Sequence, residues 1–256
     1  MRDLLPDPPA REPDVLDRFE GGPDPELWIP AYLPQWTTPE RAAARWEPVD
    51  DGLQLRIDAD QPLWRPEDAP LRVSNLQTGV FAGPVGSTRG THRHRDDLRV
   101  RTATPTRMLW APSAGRVDVT LTASSDPGCM AAVWLVGAEV DDPAHSGEIC
   151  VVEIDGRQPA AETTTVRCGV KAHHDPRLVT DMAEVEVVDG VDRARTWTAV
   201  WGPEGTVIGC DGRVLRRVAH APSYPLVLMV DLFQLSAPAG AYPKTATVHE
   251  VRGWGS

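Results

Sequence analysis

Residues 146–153 read SGEICVVE, and this stretch decides how the rest of the chain is interpreted. Two glutamates, Glu148 and Glu153, stand five positions apart in an apolar, β-branched run, with Cys150 between them. In a regular strand, residues five apart point to opposite faces of the sheet. A β-bulge at the valine doublet 151–152 would restore the phase and place all three side chains on one face.

The two glutamates have two interpretations. Spacing alone favours an ordinary strand with one solvent-facing acid at each end. With the bulge, their carboxyl groups could approach to about 5–5.5 Å, which suits a retaining glycosidase. In such an enzyme one carboxylate attacks the sugar, and the other serves first as acid and then as base. The residues themselves leave both interpretations open.

Period-two patterns dominate the remaining sequence. Residues 52–59 (GLQLRIDA) and 116–123 (RVDVTLTA) alternate apolar and polar positions, as half-buried strands do. Residues 206–218 contain an Asp-Gly pair that predicts a hairpin turn. The continuous apolar run 224–235 is typical of a strand buried on both faces. The best helix candidate, 38–47, is one or two turns long. The pattern predicts an all-β fold of two packed sheets.

Length and composition agree with a single large β domain. The chain has 256 residues, of which 41% are hydrophobic and 25% charged, so a sizeable core is expected. We find no linker, repeat or low-complexity segment. Residues 1–16, rich in proline, are expected to form an extended N-terminal arm, and residues 17–256 a single domain.

Charge and hydropathy argue against several classes of partner. The net charge of −11 disfavours nucleic acid and anionic membrane surfaces as partners. The basic run 87–101 is interrupted by acids and is expected to be a solvated loop and strand. No apolar run is long enough for a membrane helix, and the first residues do not read as a secretory signal. The expected location is the cytoplasm, or outside the cell if a leader was removed.

Metal ligands are weakly indicated. The four cysteines lack metal-binding spacing and are expected to be reduced thiols. His92 and His94 would share a strand face, and a second histidine pair stands at 173–174. Two histidines without a third partner are weak evidence for a site, so the sequence predicts no transition-metal site.

The run GEICVVE resembles the active-site strand of glycoside hydrolase family 16, whose bulged form reads Glu-x-Asp-x-x-Glu. Other segments are similar to the family in the same order, and together they cover nearly the whole chain. They are DRFEGGPDPELW (17–28), AAVWLVG (131–137), TWTAVWGPEGTVIGCDGRVLRRV (196–218), YPLVLMVDL (224–232) and TATVHEVRGW (245–254). The resemblance implies a concanavalin A-like β-jelly-roll sandwich of two antiparallel sheets, with a sugar-binding cleft on the concave sheet.

The resemblance also implies roles for individual residues. Glu148 would be the nucleophile and Glu153 the general acid/base. Trp134 would lie in the cleft floor, and the nine tryptophans of the chain include further candidates for stacking on sugar rings. The Gly/Ser/Thr-rich loop region 74–90 is expected to form a cleft rim with side chains that hydrogen-bond sugar hydroxyls. The candidates for binding substrate are therefore Trp134, Trp110, Asn75 and Gln77.

Cys150 departs from the family pattern, which has Asp at this position. The middle acid hydrogen-bonds the nucleophile and helps to separate the two catalytic pKa values, whereas a thiol is a weak donor and normally neutral. Three explanations remain: a slow or altered hydrolase, a binding protein that kept the cleft, or an active enzyme with compensation elsewhere.

The resulting prediction is a retaining endo-glycosidase or transglycosylase acting on a β-linked glucan or related polysaccharide. The alternatives are a catalytically impaired carbohydrate-binding protein with the same cleft, and a β-sandwich with no role in carbohydrate chemistry. No cofactor is expected to be required, and the resemblance makes a structural calcium ion plausible. The sequence does not determine the sugar, the linkage or the oligomeric state.

Overall fold

A computed structural model describes residues 3–157, 162–237 and 240–256. The described chain is almost entirely β. Its strands are β1 (Val15–Asp17), β2 (Arg45–Val49), β3 (Gly52–Ile57), β4 (Arg72–Gln77), β5 (Gly79–Val80), β6 (Arg107–Met108), β7 (Gly115–Thr122), β8 (Cys129–Gly137), β9 (Glu148–Asp155), β10 (Thr163–Lys171), β11 (Asp181–Val188), β12 (Arg195–Gly202), β13 (Gly205–Cys210), β14 (Arg213–Val218), β15 (Leu226–Gln234) and β16 (Lys244–Gly255).

Helical structure is short. The predicted helix at 38–47 is a single α-helical turn, α1 (Pro39–Ala42), and the chain then enters β2. Two 3₁₀ turns, Pro34–Trp36 and Pro66–Asp68, complete the helical residues described. Within the described ranges, the structure has no helix with the length and apolar character needed to cross a membrane.

The strands form two large antiparallel sheets. The first has the order β14-β13-β12-β7-β16-β3-β2, with β1 also paired to β16. The second has the order β11-β10-β9-β8-β15-β4, and β5 and β6 form a separate ribbon. The predicted all-β, two-sheet fold is confirmed. The Asp-Gly hairpin is confirmed too, because β13 and β14 are joined by Asp211 and Gly212, both with positive φ.

The main core lies between the two sheets. Alternate residues of β7 (Val117, Val119 and Leu121) face this space, as the period-two pattern predicts. All nine residues of β15 are buried, which confirms a strand covered on both faces. The residues of the six-stranded sheet that point away from this core define its outer face.

A second apolar cluster covers part of this outer face. It combines residues of β8 and β15 with others from the segments before β4 and after β5. Within the run 87–101, Leu98 and Val100 are buried in this cluster, and His92 is only 5% exposed. The prediction that this run is a solvated loop is therefore wrong, because its apolar residues pack onto the sheet and carry His92 with them.

The N-terminal segment is attached to the eight-stranded sheet. The backbone N–H of Leu5 donates to the carbonyl of Gly212 at 3.0 Å, and Leu4 forms a β-bridge with Arg213. The boundary predicted after residue 16 falls inside β1, since Val15–Asp17 pairs with β16. Residues 1 and 2 of the predicted arm lie outside the described residues.

Candidate active site

A bulge in β9 places Glu148, Cys150 and Glu153 on the outer face of the six-stranded sheet. Across the β8–β9 ladder, Val133 pairs with Val152 while the next residue, Trp134, pairs with Cys150. Val151 is thus the extra residue, and the predicted bulge at the valine doublet is confirmed. The intervening apolar side chains of β9 enter the core between the sheets.

The three side chains are close together and buried. One side-chain oxygen of each glutamate and the Cys150 sulfur lie within 4.8 Å of one another. Glu148 and Cys150 have no exposed surface, and Glu153 is 7% exposed. Buried carboxylates need compensating partners, since ionised groups lose their hydration in the interior.

Lys171 supplies much of this compensation from the neighbouring strand β10. Its Nζ lies 2.9 Å from Glu148 Oε1 and 2.8 Å from Glu153 Oε1. The contact with Glu148 lacks the directional geometry of a hydrogen bond and acts as an ion pair. The guanidinium of Arg167, also on β10, lies 2.7 Å from Glu153 Oε2. A single ammonium therefore joins the two carboxylates.

The electrostatic environment keeps Glu148 ionised. Burial by itself raises the pKa of this carboxyl, but the hydrogen bond from His173 and the charge of Lys171 act in the opposite direction. His173 Nε2 is 2.7 Å from Glu148 Oε2. The net result lowers the pKa of Glu148 to about 2. In turn, the carboxylates outweigh the effect of burial on Lys171 and raise its pKa above the ordinary value.

Cys150 is a neutral thiol in this setting. Burial raises its pKa well above the ordinary value, and the negative charges of Glu153 and Glu148 add to the effect. Its Sγ contacts the carbonyl oxygen of Arg167 at 3.7 Å, a weak hydrogen bond. The thiolate is the reactive form of cysteine, so the environment of Cys150 does not suit a nucleophile.

Trp134 lies on the same outer face, where the resemblance places the cleft floor. Lys171 Nζ sits 5.0 Å from its ring centroid, and Phe233 stacks against it at 5.6 Å. His92 approaches its edge, with ring centroids 5.8 Å apart. These neighbours leave Trp134 8% exposed, and contact with sugar remains a prediction.

The structure corrects the predicted positions of three other candidates. Trp110 belongs to the core between the sheets and packs against Gly253, away from the glutamates. Asn75 and Gln77 are fully buried instead of lining a cleft rim. Their amide groups donate to backbone carbonyls, Asn75 to Ala31 at 2.6 Å and Gln77 to Gly79 at 3.0 Å. These side chains tie loop backbone to the sheet.

Two site residues, Arg167 and Lys171, were missed from the sequence, and His173 was considered there only as a metal ligand. These three residues alternate along one segment, so a period-two pattern could have placed them on the face of the glutamates. Asp231 on β15 is also buried, and neither carboxylate oxygen has a hydrogen-bond partner among the described residues. Burial, and secondarily the charge of Glu148, raises the pKa of Asp231 well above its ordinary value.

The ligand sets of this face do not suit calcium. Among the described His, Cys, Asp and Glu side chains, two groups of three bring ligand atoms within 4.8 Å of one another. They are His92, Glu148 and His173, and Glu148, Cys150 and Glu153. Each includes nitrogen or sulfur, whereas calcium takes oxygen ligands. A structural calcium ion elsewhere remains a prediction.

The fold is that of the glycoside hydrolase family 16 endo-glucanases and related transglycosylases. SCLam, a non-specific endo-β-1,3(4)-glucanase from family 16, aligns over 98% of this chain and 94% of its own with a TM-score of 0.68 and 17% identity. An endo-1,3-β-glucanase catalytic domain from Thermotoga petrophila aligns over 99% of this chain and 98% of its own, with a TM-score of 0.63 and 13% identity.

A higher TM-score, 0.80, comes from the GlcNAcα1-4Gal-releasing endo-β-galactosidase of Clostridium perfringens, at 20% identity. The alignment covers 98% of this chain but 65% of that one, so this chain spans about two thirds of its length. No protein-family model and no curated protein sequence matches this chain.

Proposed function

We propose that this protein is a retaining glycosidase or transglycosylase that acts on a β-linked glucan or a related polysaccharide. The observation that carries the proposal is the pair Glu148 and Glu153, brought to one face by the bulge with carboxylate oxygens within 4.8 Å. A short separation of this kind suits double displacement, since an inverting enzyme needs room for a water between the two groups. The fold shared with endo-glucanases and an endo-β-galactosidase supports the substrate class.

In this mechanism Glu148 is the nucleophile. Its ionised carboxylate attacks the anomeric carbon and forms a covalent glycosyl ester, while the glycosidic oxygen leaves with a proton from Glu153. Glu153 then removes a proton from water, or from an acceptor sugar hydroxyl, which releases the ester. The lowered pKa of Glu148, about 2, matches a group that must remain ionised.

Lys171 is the proposed compensation for the missing middle acid. In the family pattern the acid at the position of Cys150 helps to hold the two glutamates in different protonation states. Here the ammonium of Lys171 contacts both carboxylates, and it must leave Glu153 when that residue takes up its proton. Substrate entering beside the partly exposed Lys171 would move its ammonium group away from Glu153.

A carbohydrate-binding protein without turnover is the second candidate, and a specific observation favours it. Both oxygens of Glu153 are paired with cations, one with Lys171 and one with Arg167, so neither is free to serve a leaving group. In addition, Glu148 has no exposed surface. A protein held in this state would bind glycan beside Trp134 without cleaving it.

The first test is release of reducing ends from β-1,3-glucan, mixed-linkage β-1,3/1,4-glucan and galactan. We expect activity on at least one substrate, and its loss in Glu148→Gln with the fold retained. Glu184→Gln, an exposed glutamate on β11, is the matched control and should behave as wild type. Transglycosylation is followed in parallel by product analysis with added oligosaccharide acceptors.

If no substrate in this panel is cleaved and Glu148→Gln changes glycan affinity by less than a few-fold, the enzyme hypothesis is rejected in favour of the binding protein. Cys150→Asp separates the explanations further. If the thiol limits the rate, this variant should gain about 10²–10⁴-fold, the range of general acid–base contributions. No gain in a folded variant would instead indicate that Lys171 already compensates.

A further inference from the structure

Two histidines converge on Glu148 from distant parts of the chain. His92 lies in the run that covers the outer face of the sheet, and His173 follows β10. One ligand atom from each of His92, Glu148 and His173 lies within 4.8 Å of the other two. The two imidazole rings approach edge to face, with centroids 5.2 Å apart. The fold therefore supplies the third partner that the sequence alone did not reveal.

Both histidines adopt an unusual backbone conformation. The φ angle is 54° at His92 and 47° at His173, in the left-handed region that residues other than glycine seldom occupy. Such conformations cost about 1–3 kcal/mol and persist where the surrounding structure imposes them, often at functional sites. At both positions the backbone is held in a strained form that presents a ring to the same carboxylate.

We propose that His92, His173 and Glu148 together bind one divalent transition-metal ion, with zinc as the representative ion. Two imidazole nitrogens and one carboxylate oxygen form a donor set that zinc uses in proteins. Imidazole also selects against magnesium and calcium, which prefer oxygen ligands. Three protein ligands leave one position of a tetrahedral ion for water or another exchangeable ligand.

Ligand atoms within 4.8 Å of one another are close to the spacing that one zinc ion needs. Zinc bonds of about 2.0–2.2 Å at tetrahedral angles set ligand atoms about 3.3 Å apart. The 2.7 Å contact between His173 Nε2 and Glu148 Oε2 must therefore widen slightly, and the His173 side chain, 21% exposed, has room to move. Lys171 pairs with the other oxygen, Oε1, and leaves Oε2 to the ion.

Binding also requires a change in the tautomer of His173. In the metal-free protein, His173 Nε2 carries the hydrogen that it donates to Glu148 Oε2. For the ion to bind the lone pair of this nitrogen, the neutral ring must lose the Nε2 hydrogen and carry one on Nδ1 instead, an exchange through solvent with no net release of a proton. Because the ion occupies Glu148, metal binding and nucleophilic attack by this carboxylate exclude each other. The site thus extends beyond the proposed glycosidase function and does not depend on it.

The test is titration of the full-length, metal-free protein with Co²⁺, followed by visible absorption, and with Zn²⁺ in competition. We expect one equivalent of Co²⁺ to give the bands of a four-coordinate ion and Zn²⁺ to abolish them. Asn tolerates the left-handed backbone, so His92→Asn and His173→Asn remove one ligand each with little strain. Each should weaken Zn²⁺ binding at least about 100-fold, since even second-shell changes cost 10–100-fold.

The matched control is His174→Asn, which changes the neighbouring histidine outside the group and should bind as wild type. The absence of saturable Co²⁺ bands in the wild type would overturn the proposal. Bands that survive in His173→Asn, or that disappear equally in His174→Asn, would overturn it as well. Because His173 is partly exposed, its variant provides the decisive result if His92→Asn fails to fold. None of these readouts requires glycosidase activity.

Discussion

Replacing Lys171 with methionine removes the cation that joins the two glutamates and nearly preserves side-chain length. Lowering the pKa of Glu148 from 4.5 to about 2 corresponds to roughly 3 kcal/mol at about 1.4 kcal/mol per unit. Burial opposes this lowering and the hydrogen bond from His173 is the largest favourable influence, so we assign Lys171 about 1–2 kcal/mol through Glu148. Its second contact, with Glu153, adds to the loss.

We therefore expect Lys171→Met to lower the free energy of unfolding by about 2–3 kcal/mol at pH 7. This is somewhat below the 3–5 kcal/mol typical of breaking a fully buried pair, because Lys171 is 26% exposed. The assay is urea unfolding followed by tryptophan fluorescence between pH 3 and pH 8. Lys171→Arg keeps the charge and should recover most of the loss. Arg157→Met breaks an exposed pair and should change nothing measurable.

The pH dependence gives the sharper result. A carboxyl whose pKa is lowered in the folded state adds stability above its unfolded pKa of about 4.3, and this stability disappears as pH falls toward 2. Lys171→Met raises the folded pKa of Glu148, so the difference from wild type should be full above about pH 5 and shrink below it. A loss that stayed constant from pH 3 to pH 8 would refute the ion-pair account and indicate a packing defect.

Three further predictions concern stability and are checked by thermal or urea unfolding. Cys150→Asp adds a third carboxylate between two others and should lower the free energy of unfolding by about 2 kcal/mol at pH 7, and by less toward pH 4. A variant as stable as the wild type at pH 7 would contradict this. Burial raises the pKa of Glu139 to about 8. The free energy of unfolding of the wild type should therefore fall as pH rises from about 4.3 to 8, because in this range the folded state keeps a proton that the unfolded state has lost. Glu139→Gln should flatten this fall, by up to about 1.4 kcal/mol per pH unit, and an unchanged slope would exclude Glu139 as its source. Gly169→Ala would set a Cβ 2.2 Å from a backbone carbonyl oxygen at φ 147°, and should lower the free energy of unfolding by more than about 2 kcal/mol. Gly86→Ala meets open space at φ 87°, so it should cost only the backbone strain, about 1–2 kcal/mol.

The sequence predicts the local structure well because local rules govern it. Strand β7 follows from alternation of apolar and polar residues, and the turn at Asp211-Gly212 follows from the positive φ that it requires. The spacing locates the bulge in β9 but does not require it, and the bulged form was expected from the resemblance to family 16. Two acids five apart can share a face only if one residue is extra, and the valine doublet provides it.

The errors at Asn75, Gln77 and Trp110 arose because neither residue type nor local pattern shows what covers a residue in the folded chain. Alternation shows that a residue points to one side of a sheet but does not show what covers that side. Distant loop segments cover Asn75 and Gln77, and their amides hydrogen-bond the backbone of those loops. Polar groups buried in this way must be hydrogen-bonded, and both residues lie on the buried strand β4 instead of the loop rim that the sequence predicted.

The sequence by itself determined an all-β chain and the place, the valine doublet, where a bulge could bring Glu148 and Glu153 to one face, because strand period and turn chemistry depend on residues near one another in the chain. Only the tertiary structure decided what those carboxylates meet. Lys171 reaches them by pairing of β10 with β9, and His92 reaches Glu148 through a loop packed over the sheet. Interactions across such distances depend on which strands pair and which loops cover them, and these determine both the charge of Glu148 and the proposed metal site.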